Sequence, residues 1–161
     1  MYERRYWVHP IFLDKNRKRY GASDNLIKEL YFYNDKIFIN YFRMTVKIYD
    51  KLLSVVGPYI TKQNCVRKAI PPNTRLEICL RYLASGDSIK SLSYSFRVGH
   101  NTISKIVLET CEAIWTALKD KLFLQPTKDW WKNVANKFEE KWNFPNCIGA
   151  IDGKHIVIQV C

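Results

Sequence analysis

The polar residues that follow Gly99 are of the types that contact DNA. Side-chain amides can form two hydrogen bonds with adenine, and hydroxyl groups can bond bases or phosphates. Two further residues, Lys90 and Arg97, are candidates for contacts with the phosphate backbone. The candidate base-contacting residues are His100, Asn101, Thr102, Ser104 and Lys105. Each of these residue types is also common as a helix cap or on a solvated surface, so the elements that position them decide the interpretation.

A short helix, a tight turn and a long helix are needed to position these side chains. The apolar spacing predicts a helix over residues 89–96, a turn at Gly99, and a second helix over residues 100–119. This is the sequence form of a helix-turn-helix, in which the first turn of the second helix faces the major groove. The residues expected to lock the two helices together are Leu92, Phe96, Val98, Ile103 and Ile106.

An ordinary three-helix bundle, used only for structure or for docking a protein, is the alternative. Glu109 and Glu112 fall on the solvent side of the long helix, where DNA phosphates would repel them. Only the first turn of such a helix approaches the bases, so this cost is small. The sequence favours the DNA-facing interpretation.

The charge distribution points to an anionic partner. The 161 residues contain 26 Lys and Arg against 15 Asp and Glu, a formal net charge of +11. Most of this excess precedes Pro71, and the densest basic stretch contains Lys15, Arg17, Lys18 and Arg19. A basic arm that binds DNA phosphates is one interpretation, and a solvated tail or a nuclear-import patch is the other.

Composition excludes several classes of protein. With 47% apolar and 14% aromatic residues, the chain can bury a core, so general disorder is excluded. No run of about 18 apolar residues predicts a membrane span, and the first residues lack the apolar run of a secretory signal. We therefore expect an intracellular protein with DNA as partner, no membrane association and no small-molecule substrate.

The five cysteines predict neither a zinc site nor a disulfide framework. Their number is odd, and no two are spaced as a CxxC pair. Small buried side chains are the expected role of Cys65, Cys79, Cys111, Cys147 and Cys161.

The remaining pattern predicts a mainly α fold in three parts. These are a basic helical region over residues 1–70, the helix-turn-helix region over residues 71–125, and a linker helix with further elements over residues 126–161. Gly57-Pro58 should end one N-terminal helix, and Ser23-Asp24 should cap another. Thr74 and Glu77 have the spacing of a capping box at the start of a later helix.

The period of the apolar residues changes after residue 145. Two short apolar runs, over residues 147–151 and 155–158, flank Asp152-Gly153. This pattern predicts a short β-hairpin with a two-residue turn. On this reading Asp152 serves the turn geometry and His155 is a strand residue.

The segment from Trp142 to His155 carries a resemblance to a known family. It resembles the sequence around the first catalytic aspartate of PIF/Harbinger-type transposases and of the Harbinger transposase-derived nucleases. The resemblance extends in order over nearly the whole chain, through residues 6–10, 42–44, 80–87 and 102–104.

The resemblance implies a helical region with a helix-turn-helix, followed by an RNase H-like nuclease domain of the DDE superfamily. That domain would bind Mg²⁺ or Mn²⁺ through a D-D-E triad and hydrolyse DNA. It also implies nuclear localisation, with some protein in the cytoplasm, and a separate Myb-like protein partner. Asp152 matches the first, metal-binding catalytic aspartate, with Lys154 and His155 as motif neighbours.

The second Asp and the Glu of the triad have no counterpart in this sequence, which continues for nine residues after Asp152. One carboxylate does not hold two divalent ions, which need several oxygen ligands. We therefore expect the β-hairpin to be the start of a truncated RNase H-like domain. The chain would be the N-terminal part of a Harbinger-type nuclease, unable to bind the metal stably or to cleave DNA alone. The alternatives are a DNA-binding module without chemistry and a docking domain for the Myb-like partner.

Overall fold

The computed structural model describes residues 7–64, 68–123 and 126–153. Within these ranges the fold is mainly α-helical, as predicted. A short 3₁₀ turn, Pro10–Phe12, precedes the first helix. The α-helices are α1 (Asp14–Tyr20), α2 (Leu26–Tyr33), α3 (Asp35–Phe42), α4 (Val46–Ile60), α5 (Pro72–Ser85), α6 (Ile89–Phe96), α7 (His100–Leu122) and α8 (Lys128–Trp142).

Side-chain caps explain where several helices begin. The Thr45 hydroxyl accepts a hydrogen bond from the N–H of Ile48, and the Ser88 hydroxyl accepts one from Ser91. Each bond satisfies an N–H that has no partner within the first turn of its helix. These caps fix the starts of α4 and α6.

The predicted end of α4 at Gly57-Pro58 is wrong, because the helix continues through Pro58 to Ile60. A proline in the last turn removes one backbone hydrogen bond, that to the carbonyl four residues earlier. Val56 and Ile60 are fully buried on the same side of the helix. Their burial outweighs that loss.

The predicted capping roles of Thr74, Glu77 and Ser23 are also wrong. Helix α5 begins earlier, at Pro72, and both Thr74 and Glu77 are buried inside it. The hydroxyls of Thr74 and Ser23 lie 2.7 Å apart, while Glu77 Oε1 accepts a hydrogen bond from the Tyr49 hydroxyl at 3.2 Å. These polar groups join α5 to the N-terminal helices instead of capping a helix.

The chain divides into two compact units, Met1–Asp120 and Lys121–Cys161. The core of the first unit draws on residues from both sides of the predicted boundary at residue 70. It runs from Ile27 to Ala113 and includes fully buried side chains from five helices. The largest of these are Phe38, Phe42, Phe96, Ile60, Leu76, Ile78, Leu92, Ile103 and Ile106.

The described part of the second unit comprises residues 121–123, at the end of α7, and residues 126–153, which contain α8. Asn143 ends α8 in the left-handed conformation, with φ 50°. The predicted first strand of the hairpin does not form, because residues 147–153 carry no regular structure. Ile151, within this stretch, is fully exposed. The predicted second strand and the RNase H-like continuation lie outside the described residues.

Within the described ranges, no helix combines the length and the apolar character needed to cross a membrane.

Candidate nucleic-acid interface

The turn between α6 and α7 is held by bonds within a few residues. The Ser93 hydroxyl donates to the carbonyl of Val98 at 2.6 Å, and the Val98 N–H donates to the Ser93 carbonyl at 3.2 Å. Arg97 adopts the left-handed conformation, with φ 54°, and Val98 turns inward and is buried. The helix-turn-helix therefore occupies the residues that the sequence predicts.

The first turn of α7 exposes most of its predicted base-contacting residues. His100, Asn101, Thr102 and Lys105 are exposed, and Ser104 is half-buried. The intervening Ile103 and Ile106 are buried against the core, so the polar side chains all project from the remaining face. His100 Nδ1 lies 3.1 Å from the Asn101 side-chain oxygen, which orders this pair in the free chain.

The basic stretch forms helix α1, which has no buried residue and whose C-terminal end contacts α6 and the residue after it. The Ala22 N–H donates to the Ser95 carbonyl at 2.9 Å, and the Arg97 guanidinium lies 5.9 Å from the centre of the Tyr20 ring. Within α1, Arg17 pairs with Asp14. Lys15, Lys18 and Arg19 are exposed on α1.

A groove of about 880 Å³ adjoins the first turn of α7. It is formed by three separate parts of the chain, within residues 7–17, 62–75 and 98–102. Among the described residues that line it, four are cationic and none is a carboxylate. These cations are Arg17, Lys62, Lys68 and Arg75. Their charge complements a polyanion such as the DNA backbone.

The groove brings together only part of the predicted set. His100, Asn101, Thr102 and Arg17 line it. Lys105 lies on α7 just beyond its first turn, and Lys90 is exposed on α6. Neither of these two lines the groove, nor do the remaining predicted residues Lys15, Lys18, Arg19, Arg97 and Ser104.

Sequence reasoning missed Lys62, Lys68 and Arg75. Only 7% of the Arg75 side chain is exposed, and it pairs with Glu109 of α7. Arg75 lies four residues before Cys79, which was predicted to be buried, so helical spacing already placed an arginine on the inward face of α5. That signal indicates a carboxylate partner but not which one.

Lys62 binds the same Glu109 oxygen, Oε2, at 3.2 Å. Partial burial would raise the pKa of Glu109, but its hydrogen bonds and charge interactions with Lys62 and Arg75 outweigh this and lower the pKa. Glu109 is therefore ionised at neutral pH, and it neutralises charge on two cations that line the groove.

Cys79 is fully buried, as predicted, and its Sγ lies 3.5 Å from Sγ of half-buried Cys111. Both thiols are free. Burial raises the pKa of the Cys79 thiol, which is therefore a poor nucleophile and metal ligand at neutral pH. Cys147 is free and half-buried, whereas Cys65 and Cys161 lie outside the described residues.

Asp152 is exposed in the second unit. The other two motif residues, Lys154 and His155, lie outside the described residues. Among the residues that are described, no three His, Cys, Asp or Glu side chains come together as metal ligands. One exposed carboxylate does not by itself fit a site for two divalent ions.

Comparison with known proteins gives two curated relatives, both from Arabidopsis thaliana. The chain is 32% identical over 130 residues to the protein named Antagonist of Like Heterochromatin Protein 1, covering 77% of this chain and 33% of that protein. It is 27% identical over 150 residues to Protein ALP1-like, covering 90% of this chain and 34% of that protein. No protein-family profile and no solved structure matches the chain significantly. The chain is thus similar to two plant proteins and spans about a third of the length of each.

Proposed function

We propose that the chain belongs to a Harbinger transposase-derived protein and binds duplex DNA through its helix-turn-helix. The similarity to the two plant proteins supports the family, as do the quoted motifs that run in order along the sequence. The observation that carries DNA binding is the groove, where four cationic side chains adjoin the exposed first turn of α7.

The two kinds of side chain divide the work of binding. The exposed polar residues at the start of α7 are of the types that distinguish base pairs in the major groove. The lysines and arginines of the groove and of α1 hold phosphates, which gives affinity but no sequence preference. In this division α7 sets the register and the basic residues supply most of the binding energy.

The first experiment measures DNA binding by fluorescence anisotropy as a function of salt concentration. Affinity for duplex DNA should fall steeply with salt, since each phosphate contact releases counterions. Sites selected from a random library should show a sequence preference, and both Thr102→Ala and Lys105→Ala should lower affinity and relax that preference. Unchanged binding by both variants would exclude the proposed use of α7.

A docking site for a protein is the second candidate function. One relative is named as an antagonist of a heterochromatin protein, which favours a chromatin-associated partner and a nuclear location for this chain. The Myb-like partner implied by the resemblance fits the same role. Two results together would favour protein docking over sequence-specific DNA binding. The chain would co-purify with a Myb-like protein, and Thr102→Ala and Lys105→Ala would leave DNA binding unchanged.

The metal-dependent nuclease activity of the family remains a proposal for a longer protein that supplies the rest of the D-D-E triad. Asp152 would contribute the first carboxylate there, and Mg²⁺ or Mn²⁺ would be the ion. For the chain in hand, we propose binding without cleavage.

A further inference from the structure

Two cations that line the groove share one internal anion. Lys62 Nζ and an Arg75 guanidinium nitrogen both bind Oε2 of Glu109. Glu109 itself does not line the groove. It lies nine residues after His100, about 14 Å along α7 from the first turn. The two cations therefore face the groove while a carboxylate holds them from one side.

The two ion pairs differ in what they do for the folded chain. Arg75 is 7% exposed and needs a counter-ion, since an unpaired buried charge is costly. Lys62 is 51% exposed and would be solvated without Glu109. An exposed pair of this kind contributes little stability. The Lys62–Glu109 pair is thus dispensable for folding, and Lys62 can exchange the carboxylate for another anion.

Lys62 already holds an anionic oxygen while lining the groove, and a lysine ammonium holds a phosphate oxygen in the same way. The neighbouring Arg75 adds positive charge beside it and keeps Glu109 as its own partner. The same two side chains line the groove beside the first turn of α7. DNA docked on that turn would bring its backbone to the groove.

We propose that Lys62, next to Arg75, is a phosphate-contact site for the DNA backbone, and that Glu109 occupies it in the free chain. This rests on the proposed DNA-binding function. On binding, a phosphodiester oxygen replaces the carboxylate at Lys62, while Glu109 stays paired with buried Arg75. Glu109 then acts as an internal competitor that lowers the affinity of the chain for DNA.

A double-mutant cycle in the full chain tests the competition. Glu109→Gln should tighten duplex binding at 0.1 M salt by roughly threefold or more, and the matched loss of charge in Glu112→Gln should have a smaller effect. The gain should disappear in the Lys62→Ala background. An equal gain with and without Lys62 would show that Glu109 only repels DNA at a distance, and it would overturn the proposal.

Glu109→Gln could leave the buried charge of Arg75 unpaired and unfold the chain. In that case Lys62→Ala alone still tests the site. Because Lys62 is exposed, this variant should fold normally, as thermal unfolding would check. In Lys62→Ala, the slope of log K against log salt concentration should become shallower by about 0.9. Lys51→Ala on α4 should leave this slope unchanged. An unchanged slope in Lys62→Ala would contradict the site.

Failure of the inference differs from failure of the proposed function. If the unmodified chain shows no salt-dependent duplex binding, DNA binding itself is wrong. If it binds DNA and the cycle is additive, only the competition by Glu109 is wrong.

Discussion

The backbone N–H of Ala22 donates a hydrogen bond to the carbonyl of Ser95 at 2.9 Å, and this bond joins the segment just after α1 to α6. The two residues are far apart in sequence, and Ser95 lies at the end of the first helix of the helix-turn-helix. The basic stretch before Gly21 is therefore tied to the folded first unit next to the proposed DNA-contacting turn. It is not an arm that orders only on binding.

Gly21 is where this junction is least tolerant of change. A Cβ atom at Gly21 would overlap the Arg17 carbonyl oxygen and lie 3.2 Å from that of Phe96. Gly21→Ala should therefore lower the free energy of unfolding by about 1–3 kcal/mol, as overpacking does. Chemical denaturation followed by circular dichroism measures the change.

Gly57→Ala is the matched control. Gly57 lies inside α4, and an added Cβ would meet only Leu53 at 3.9 Å. This variant should gain about 0.5–1 kcal/mol, because alanine loses less backbone entropy in a helix than glycine does. Equal effects at the two glycines would contradict the close packing at Gly21.

The exposed cations of α1 should supply part of the phosphate contacts. Replacing Lys15, Lys18 and Arg19 together by alanine should weaken duplex binding and lower its salt slope by about 2–3. The control removes the same charge from α3 and α4 through Lys36→Ala, Lys47→Ala and Lys51→Ala. If both triple variants weaken binding equally, net charge rather than position is responsible, as titrations at several salt concentrations would reveal.

Glu77 should make stability depend on pH. Burial raises the pKa of its carboxyl above the ordinary value of 4.5. Because the folded chain then holds the proton more tightly than the unfolded chain, the contribution of Glu77 to stability is greatest below pH 4.5 and is lost as the pH rises through the folded-state pKa.

Glu77→Gln, which mimics the protonated carboxyl, should therefore raise Tm at pH 7 by at least about 2 °C, with a smaller difference at pH 4. Differential scanning calorimetry at both pH values measures this. A Tm lowered at pH 7 but not at pH 4 would indicate that the carboxylate form is the one the fold requires.

The chain alone should not cleave DNA. Supercoiled plasmid incubated with the protein and Mg²⁺ or Mn²⁺ should stay supercoiled on a gel, because Asp152 belongs to no group of three or more possible metal ligands among the described residues. Nicking that is lost in Asp152→Ala would refute this expectation and would indicate that the missing ligands come from another copy or from outside the described residues.

The sequence predicted those elements whose boundaries are set by neighbouring residues. Helix α6 begins after Ser88 and α7 begins at His100, because the cap and the turn around Val98 are local interactions. Sequence-based prediction failed where a residue distant in the chain decides the role of a side chain. Thr74 has the spacing of a capping residue but bonds Ser23, which comes from a different part of the chain.

The predictions for the candidate site also separate into local features that the sequence indicates and long-range pairings that it does not. The exposed turn over residues 100–102 follows from helical periodicity alone, and the structure places it as expected. Arg75 lines the groove where α5 contacts α7 and pairs with Glu109. Lys62, two residues after α4, reaches the same carboxylate from a different part of the chain. No pattern within one helix could have identified that pairing.

The shared core has a consequence for how this chain can be cut or recombined. Phe38, Phe42, Val56 and Ile60 come from before the predicted boundary at residue 70 and pack in one cluster with Leu76, Leu92 and Ile103. A fragment that starts at residue 71 would leave the inner faces of α5, α6 and α7 open to solvent. The helix-turn-helix is therefore not a portable module, and grafting residues 71–125 alone onto another protein would transfer an aggregation-prone surface instead of a DNA-binding activity.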